Sequence, residues 1–275
     1  MTIRARVRSA LAWPVRLLAA YDAMVSRMKP SLDGLVRGAA VSRFLATERE
    51  VTHNGVQLTL LCPNEVASYR AHTFSSKEPD TLDWLDGIGG VLWDIGANVG
   101  LYSIYFAKRS NSRVFAFEPS VFNLELLARN VHRNEVDVCI VPLALFSAAK
   151  TDYLNLSTTE HAGALSAFGV EYGGAGEKLD VRFRYPTLGM SVDGMTKLGV
   201  PAPDHIKIDI DGAEHEVLAG ARQTLRSVTS VLVELNDRFP EQKTKAQALL
   251  KEAGLTLRIR SDEQAIAHNE IWVRA

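Results

Sequence analysis

The sequence predicts an α/β domain in which helices cover both faces of a mostly parallel sheet. Three observations lead to this fold class. Short apolar runs alternate with helix-like segments over residues 91–253, four of those runs end in acidic residues, and two strand-like runs close the chain without a helix between them. Alternation of this kind is typical of parallel sheets connected by right-handed crossovers. The closing pair is predicted to be antiparallel, because a parallel pair needs a long crossover.

The first elements precede this alternation. The segment "VTHNGVQLTLLCP" (51–63) predicts a β-hairpin, since Asn54 and Gly55 form a favoured two-residue turn and apolar residues alternate after it. A helix is predicted after Pro79, ending near Gly87. Residues 51–90 are therefore interpreted as a hairpin and helix that lead into the main domain.

The main domain is assigned to residues 91–275. Its predicted strands are 91–95, 113–118, 136–141, 205–210 and 230–235, with 255–260 and 270–274 as the closing pair. Its predicted helices are 99–108, 121–133, 213–226 and 241–253. Residues 151–185 are less regular and contain a glycine-rich stretch, so no continuous element is assigned there.

Residues 1–50 form a basic N-terminal extension with nine Lys and Arg residues against four acids. Arg16 and Asp22 interrupt its apolar run, so neither a signal peptide nor a transmembrane helix is predicted, and we expect a cytoplasmic protein. Two interpretations stay open. The segment is a helix packed on the main domain or a partner, or it is an amphipathic helix that contacts an anionic membrane peripherally, at its inner face.

Acidic residues stand at the ends of four predicted strands. These residues are Asp94, Glu118, Asp209 with Asp211, and Glu234. Ligands of open α/β sheets bind at the carboxyl ends of the strands, where neighbouring strands lie ~4.8 Å apart. Acids gathered this closely repel one another unless a cation or a hydroxyl-rich ligand satisfies them. The pattern therefore predicts a binding site at this edge.

The loop after the first strand narrows the choice of ligand. A dinucleotide fingerprint requires Gly-x-Gly-x-x-Gly, but counting from Gly96 places Asn98 and Leu101 at the second and third glycine positions. Glu118 lies 22 residues after Gly96, where an acid can accept hydrogen bonds from ribose hydroxyls. A ligand with a ribose and without a pyrophosphate is therefore expected, and S-adenosylmethionine fits this description.

Three ordered blocks carry a family resemblance: "DIGANVGLYS", then "FAFEPS", then "IKIDIDGAE" followed by "VLAGA". Together with "SKEPDTLDWL" upstream, they resemble the FkbM-type methyltransferases over roughly residues 70 to 260. The resemblance implies a class I, Rossmann-like methyltransferase fold with a seven-stranded sheet and an antiparallel C-terminal strand. It also implies S-adenosylmethionine as methyl donor, and a hydroxyl of a sugar, glycan or other natural product as acceptor.

Positions carry over from the family one by one. The resemblance implies a loop on the methionine side of the cofactor formed by Asp94, Gly96, Asn98 and Gly100. It implies that Glu118 holds the ribose and that Ala144 lies near the adenine.

Asp209 and Glu234 are the candidate catalytic residues. Asp209 first, and Glu234 second, would accept the proton of the acceptor hydroxyl or orient that hydroxyl. Lys207 shares a strand face with Asp209 and is interpreted as its neutralising partner. A divalent metal between the two acids is conceivable, but two carboxylates do not establish one, so no metal ligand is assigned.

Other functions are weighed against methyl transfer. A formal net charge of −1 and the lack of an [DN]PP[FY] tetrapeptide argue against nucleic acid as a partner. A dehydrogenase conflicts with the glycine spacing described above. The main alternative is a non-catalytic protein that binds S-adenosylmethionine, or a membrane-docked regulator. Asp211 and Glu214 have the spacing of a helix cap with its reciprocal acid, which is a structural interpretation of that pair.

Overall fold

The computed structural model describes residues 3–261 and 267–275, with side chains from residue 12 onward. The helices are α1 (Ile3–Met28), α2 (Leu35–Leu45), α3 (Glu65–His72), α4 (Phe74–Lys77), α5 (Pro79–Gly87), α6 (Leu101–Ser110), α7 (Val121–Asn134), α8 (Val192–Lys197), α9 (Glu214–Ala219) and α10 (Pro240–Glu252). The strands are β1 (Glu48–His53), β2 (Val56–Leu61), β3 (Leu92–Ile95), β4 (Val114–Phe117), β5 (Val138–Val141), β6 (Ala144–Leu145), β7 (Lys150–Leu156), β8 (Ser166–Phe168), β9 (Phe183–Met190), β10 (His205–Ile208), β11 (Ser230–Asn236), β12 (Leu255–Arg260) and β13 (Ala267–Arg274).

The main sheet has the strand order β5–β4–β3–β10–β11–β13–β12. The strands from β5 to β11 in this order are parallel, and β13 is antiparallel to both β11 and β12. This confirms the predicted seven-stranded, mostly parallel sheet with an antiparallel C-terminal strand. The strand order reverses between β3 and β10, which is where an open α/β sheet forms its ligand crevice.

Each face of the sheet buries its own hydrophobic core. Trp93 and Ile95 of β3 belong to one core, which Leu250 of α10 joins. Leu92, the residue before Trp93, belongs to the other core together with Phe106 of α6. Successive residues of a strand point to opposite faces, so this division confirms helices on both faces.

The predicted hairpin is present in front of the main sheet. β1 and β2 pair antiparallel with His53 opposite Val56. Asn54 and Gly55 connect them with φ angles of 44° and 79°, which are the left-handed angles that a tight two-residue turn requires. β1 begins at Glu48, three residues before the segment in which the sequence predicts the hairpin.

A second sheet follows β5, in a region for which the sequence predicts no regular element. Its strand order is β6–β9–β7–β8. β7 and β9 pair antiparallel over their length, from Lys150 opposite Gly189 to Leu156 opposite Phe183. This sheet lies against the crevice, because Phe168 and Leu154 share a core with Ala213 at the start of α9.

α9 is shorter than the predicted helix over residues 213–226. It ends at Ala219, and a 3-10 turn follows at Thr224–Arg226. Gly220 follows the end of α9 and allows the chain at Phe146 to approach, because a Cβ there would lie 2.2 Å from the carbonyl oxygen of Phe146. The amides of Gln223 and Thr224 donate to the Asp193 carboxylate at 2.8 Å each, instead of continuing the helix.

α1 and α2 form the N-terminal extension. They contact each other, and α2 buries none of its residues. Within the described part of the chain, no helix combines the length and the apolar character needed to cross a bilayer.

Candidate active site

The loop after β3 approaches the end of β10 at backbone distance. Gly96 has a φ of +83°, and a Cβ at this position would lie 1.9 Å from the carbonyl oxygen of Asp209. Only glycine fits such a conformation and such a contact. The amide of Gly96 donates to the carbonyl oxygen of Phe117 at 3.0 Å. The loop is thereby fixed between the carboxyl ends of β4 and β10.

Glu118 follows β4 and is 4% exposed. One of its carboxyl oxygens accepts the Asn98 amide at 2.9 Å, and the other accepts the Ser120 amide at 2.8 Å. Burial raises the pKa of Glu118 to about 7, even though both amides favour the charged form. A carboxylate offers about four lone-pair sites. The Asn123 side chain is also hydrogen-bonded to Glu118, so this carboxyl group keeps acceptor capacity for one hydroxyl group of a ligand.

Two asparagines connect this loop to the chain at Gly163. The Nδ2 atoms of Asn98 and Asn123 donate to the Gly163 carbonyl oxygen at 2.8 Å and 3.3 Å. The Oδ1 atoms of both side chains are buried and lack a hydrogen-bond partner among the described residues. Buried acceptors are normally satisfied, so these two oxygens indicate a missing donor such as a ligand amine or hydroxyl.

A cleft opens between these groups. Glu118 and Asn98 line its polar side, and Ala144, Phe146 and Phe168 line its apolar side. The two phenylalanine rings pack edge to face with centroids 5.7 Å apart. Pockets for small ligands and cofactors combine an apolar lining with a few polar groups. The lining of the cleft meets that description.

A buried ammonium group connects two of the strand ends. Lys207 of β10 is 2% exposed, and its Nζ lies 3.0 Å from Asp209 Oδ2 and 3.8 Å from Asp94 Oδ1. Burial opposes the charged form, but the two carboxylates outweigh it and raise the pKa of Lys207. Lys207 is therefore a cation at neutral pH and neutralises Asp209, which agrees with its sequence interpretation.

Asp209 and Glu234 hold unequal charges. Burial alone would raise the pKa of Asp209, but the Lys207 ammonium group outweighs it and holds this pKa below its usual range. The charge of Asp209, and then burial, raise the pKa of Glu234. A hydrogen bond joins the two side chains. At neutral pH the pair therefore consists of an ionised Asp209 and a protonated Glu234.

A sequence model described as the methyltransferase FkbM domain matches residues 94–260. The chain belongs to the FkbM methyltransferase family. The match begins at Asp94 and includes Glu118, Asp209 and Glu234, so the geometry described above lies inside the family domain.

Curated relatives of this FkbM-family chain include two named methyltransferases. The hexuronic acid methyltransferase AglP of Haloferax volcanii is 30% identical over 171 residues, which cover 62% of this chain and 64% of AglP. The methyltransferase sdnD of Sordaria araneosa is 30% identical over 173 residues, which cover 51% of this chain and 64% of sdnD. The chain thus spans just under two thirds of either relative.

A solved structure, the FkbM methyltransferase of Methylobacillus flagellatus, is also similar. It shares 13% sequence identity with a TM-score of 0.46, over 87% of this chain and 59% of that one.

The structure brings most of the predicted site residues of the FkbM domain together. The residues that line the cleft are Gly96, Asn98, Glu118, Ala144 and Asp209. Asp94 lies beneath the loop, where burial raises its pKa and Ser103 Oγ donates to it at 2.6 Å. Gly100 is the N-cap residue of α6, and a Cβ there would lie 2.5 Å from the Leu127 side chain. Glu234 lines two neighbouring cavities on the other side of Asp209.

Three further side chains lie at the site, and the sequence assigned no role to any of them. Glu78 pairs with Lys77 at 2.8 Å and is hydrogen-bonded to Tyr102, and its charge contributes to the raised pKa of Glu234. The Tyr102 ring lies 5.1 Å from Lys207 Nζ. Glu78 stands in the "SKEPDTLDWL" block of the family resemblance. The family resemblance of that block was therefore the one signal in the sequence that could have pointed to Glu78, the residue directly before Pro79.

Across residues 3–261 and 267–275, no three His, Cys, Asp or Glu side chains converge so as to hold a metal ion. The cation beside Asp209 is the Lys207 ammonium group.

Proposed function

We propose that this protein uses S-adenosylmethionine to methylate a hydroxyl oxygen of a sugar, glycan or other natural product. The observation that carries the proposal is the position of Asp209. This ionised carboxylate lines the cleft that also holds Glu118 and the Gly96 loop, and it is hydrogen-bonded to Glu234, which faces a second cavity. A donor site and an acceptor site would therefore meet at this pair of acids.

The residues of the cleft suit S-adenosylmethionine. Glu118 offers an acceptor site for a ribose hydroxyl, and Phe146 and Phe168 offer an apolar wall for the adenine. The free Oδ1 atoms of Asn98 and Asn123 can accept from amino or hydroxyl groups. When bound, S-adenosylmethionine supplies an electrophilic methyl group, which a nucleophilic oxygen attacks in line with the carbon–sulfur bond.

Asp209 would then accept the proton of the attacking hydroxyl, because it is the ionised member of the pair. Glu234 keeps its proton at neutral pH and can orient the hydroxyl or Asp209 itself. Lys207 would keep Asp209 in place. The remaining rate gain would come from holding donor and acceptor close and aligned.

The charges of the second cavity favour a neutral acceptor group. The cavity has a volume of about 370 Å³ and is lined by Glu78, Asp80 and Glu234. Lys77 is its one Lys or Arg among the described lining residues, and it is already paired with Glu78. A carboxylate acceptor would meet the negative charges of Glu78 and Asp80 here. AglP is named for a hexuronic acid, which supports a sugar as acceptor, while this lining supports attack by a hydroxyl of the sugar.

The Asp209→Asn variant tests the proposal, with Asp180→Asn as a matched control. Asp180 is an exposed aspartate paired with Arg182. We expect the affinity of Asp209→Asn for S-adenosylmethionine, measured by isothermal titration calorimetry, to change little. We expect its turnover to fall by about 10²- to 10⁴-fold. Mass spectrometry of glycans and metabolites from a deletion strain, complemented with each variant, measures the methyl group that is lost and restored.

The outcomes separate the candidate functions. Full restoration by Asp209→Asn would remove Asp209 from the proton transfer. S-adenosylmethionine binding without any methyl group lost in the deletion strain would favour the non-catalytic binding protein. NAD binding in the same calorimetric experiment would favour a dehydrogenase.

A further inference from the structure

A buried carboxylate joins the two N-terminal helices. Asp22 of α1 is 1% exposed and accepts the amides of Val36 and Arg37 at 3.0 Å and 3.2 Å. The Arg37 guanidinium group lies 2.5 Å from its other oxygen. Asp22 thus caps the first turn of α2, whose own N-cap residue, Gly34, has no side chain. One face of α1 therefore packs against α2.

The opposite face of α1 carries a continuous apolar stripe. We call this set, which consists of Trp13, Leu17, Tyr21, Met24 and Met28, the α1 stripe. Its members are 49–79% exposed. At 100° per residue they fall within an arc of about 80°, centred roughly 140° from Asp22. A five-residue apolar stripe exposed over four turns indicates a binding surface.

Basic residues lie beside the α1 stripe. Arg16 and Arg27 flank it on one side and Lys29 follows it in sequence, all exposed, whereas Arg37 is ion-paired with Asp22 and Asp33. Between residues 12 and 46, Asp33 is the one exposed acid, since Asp22 is buried. The sequence places three more arginines, Arg4, Arg6 and Arg8, in α1. The helix therefore carries an excess of positive charge beside the stripe.

We propose that α1 lies flat on an anionic lipid bilayer, with the α1 stripe inserted among the headgroups and the flanking cations on the lipid phosphates. Trp and Tyr are enriched at membrane interfaces. Basic amphipathic helices bind anionic lipid through the burial of apolar side chains and through electrostatic attraction. A second copy of the chain is a poorer occupant, because two such helices would bring their positive flanks together. The proposal concerns where the protein acts and is independent of its chemistry.

Trp13 provides a direct probe. It is 68% exposed, whereas Trp84, Trp93 and Trp272 are 7%, 0% and 1% exposed. We expect a blue shift of tryptophan emission when the full chain meets vesicles of phosphatidylcholine mixed with phosphatidylglycerol. Vesicles of phosphatidylcholine alone should give a much smaller shift, and added salt should reduce the response.

Two single substitutions with the same charge change provide the decisive comparison. Leu17→Glu places a carboxylate on the α1 stripe. Ala19→Glu places one at an exposed position on the opposite side of the same helix. In a vesicle flotation assay we expect Leu17→Glu to lower the partition coefficient by about tenfold or more, from lost apolar burial. Ala19→Glu should change it by about twofold, through charge alone.

Three results would overturn the proposal. They are an absence of wild-type binding to the phosphatidylglycerol vesicles, equal losses in the two variants, and a vesicle-free dimer that Leu17→Glu dissociates in light scattering. The last result would assign the stripe to self-association. Circular dichroism of both variants checks that α1 remains helical.

Discussion

Glu214 shows how one buried carboxyl group sets a preferred protonation state. It is 2% exposed, and one of its oxygens accepts the amides of Ile210 and Gly212 at 3.3 Å and 3.0 Å. Its other oxygen meets the side-chain amide of Gln242, whose own Oε1 is buried without a partner among the described residues. Burial raises the pKa of Glu214 to about 7. The folded chain therefore favours the neutral, protonated form of Glu214 more than the unfolded chain does.

The Glu214→Gln variant should therefore be more stable than the wild type at high pH. Between the ordinary pKa of 4.5 and the folded value of about 7, the folded chain binds more protons than the unfolded chain, so wild-type stability falls as pH rises through this window. The amide mimics the protonated acid. We expect a gain of the order of 3 kcal/mol at pH ~8 and almost none at pH ~4, measured by urea unfolding.

Glu252→Gln is the control for this prediction, because Glu252 is exposed and paired only at the surface with Arg222. It should change stability little at either pH. An equal effect of Glu214→Gln at both pH values would show that proton binding at Glu214 is not the cause.

At the residue scale, the sequence predicted which acids stand at the strand ends, and it predicted Lys207 as the partner of Asp209 on the same strand, but it could not predict partners from distant segments. Asp211 and Glu214 have the spacing of a helix cap, yet the N-cap of α9 is Ala213 and makes no side-chain cap bond. Asp211 has a φ of +58° and accepts the amide of Leu165 at 2.7 Å. The partner comes from a loop 46 residues away, which local spacing cannot reveal.

At the scale of elements, the sequence predicted the strands and helices with strong local periodicity and missed the second sheet. β6 has two residues and β8 has three, too few to show alternation. β9 contains Pro186 and Gly189, which both weaken a strand pattern. These strands are stabilised by pairing with distant segments, as β7 pairs with β9, and such pairing is set by the tertiary structure.

Gly189 connects this second sheet to the cleft. A Cβ at Gly189 would lie 2.3 Å from the ring of Phe168, which lines the cleft beside Phe146. We expect Gly189→Ala to displace Phe168 towards the cleft and to weaken S-adenosylmethionine binding by about tenfold in calorimetry, since overpacking forces side chains out of their rotamers.

Gly87→Ala is the matched control, because a Cβ at Gly87 meets no atom within 4 Å. Unchanged affinity in Gly189→Ala, with the fold intact, would show that the Phe168 ring does not shape the cofactor site.

At the scale of the whole molecule, the hydrophobic cores begin after the N-terminal helices. The earliest residue in any core described here is Val51 of β1. Among the described side chains of residues 12–46, Asp22 is the buried one, and its hydrogen-bond and ion-pair partners lie within the same segment. We therefore propose that these helices form a unit separate from the methyltransferase domain. The sequence analysis assigned residues 1–50 to an N-terminal extension and left its packing on the main domain open.

Removal of residues 1–46 tests this division. Because no core residue is lost, we expect the melting temperature to shift by less than about 3 °C, which corresponds to roughly 1 kcal/mol in a domain of this size. S-adenosylmethionine binding should be unchanged, and vesicle binding should disappear. A large loss of thermal stability would instead show that the helices support the domain. Loss of vesicle binding with retained cofactor affinity would place location and chemistry on different parts of the chain, so that each could be changed without the other.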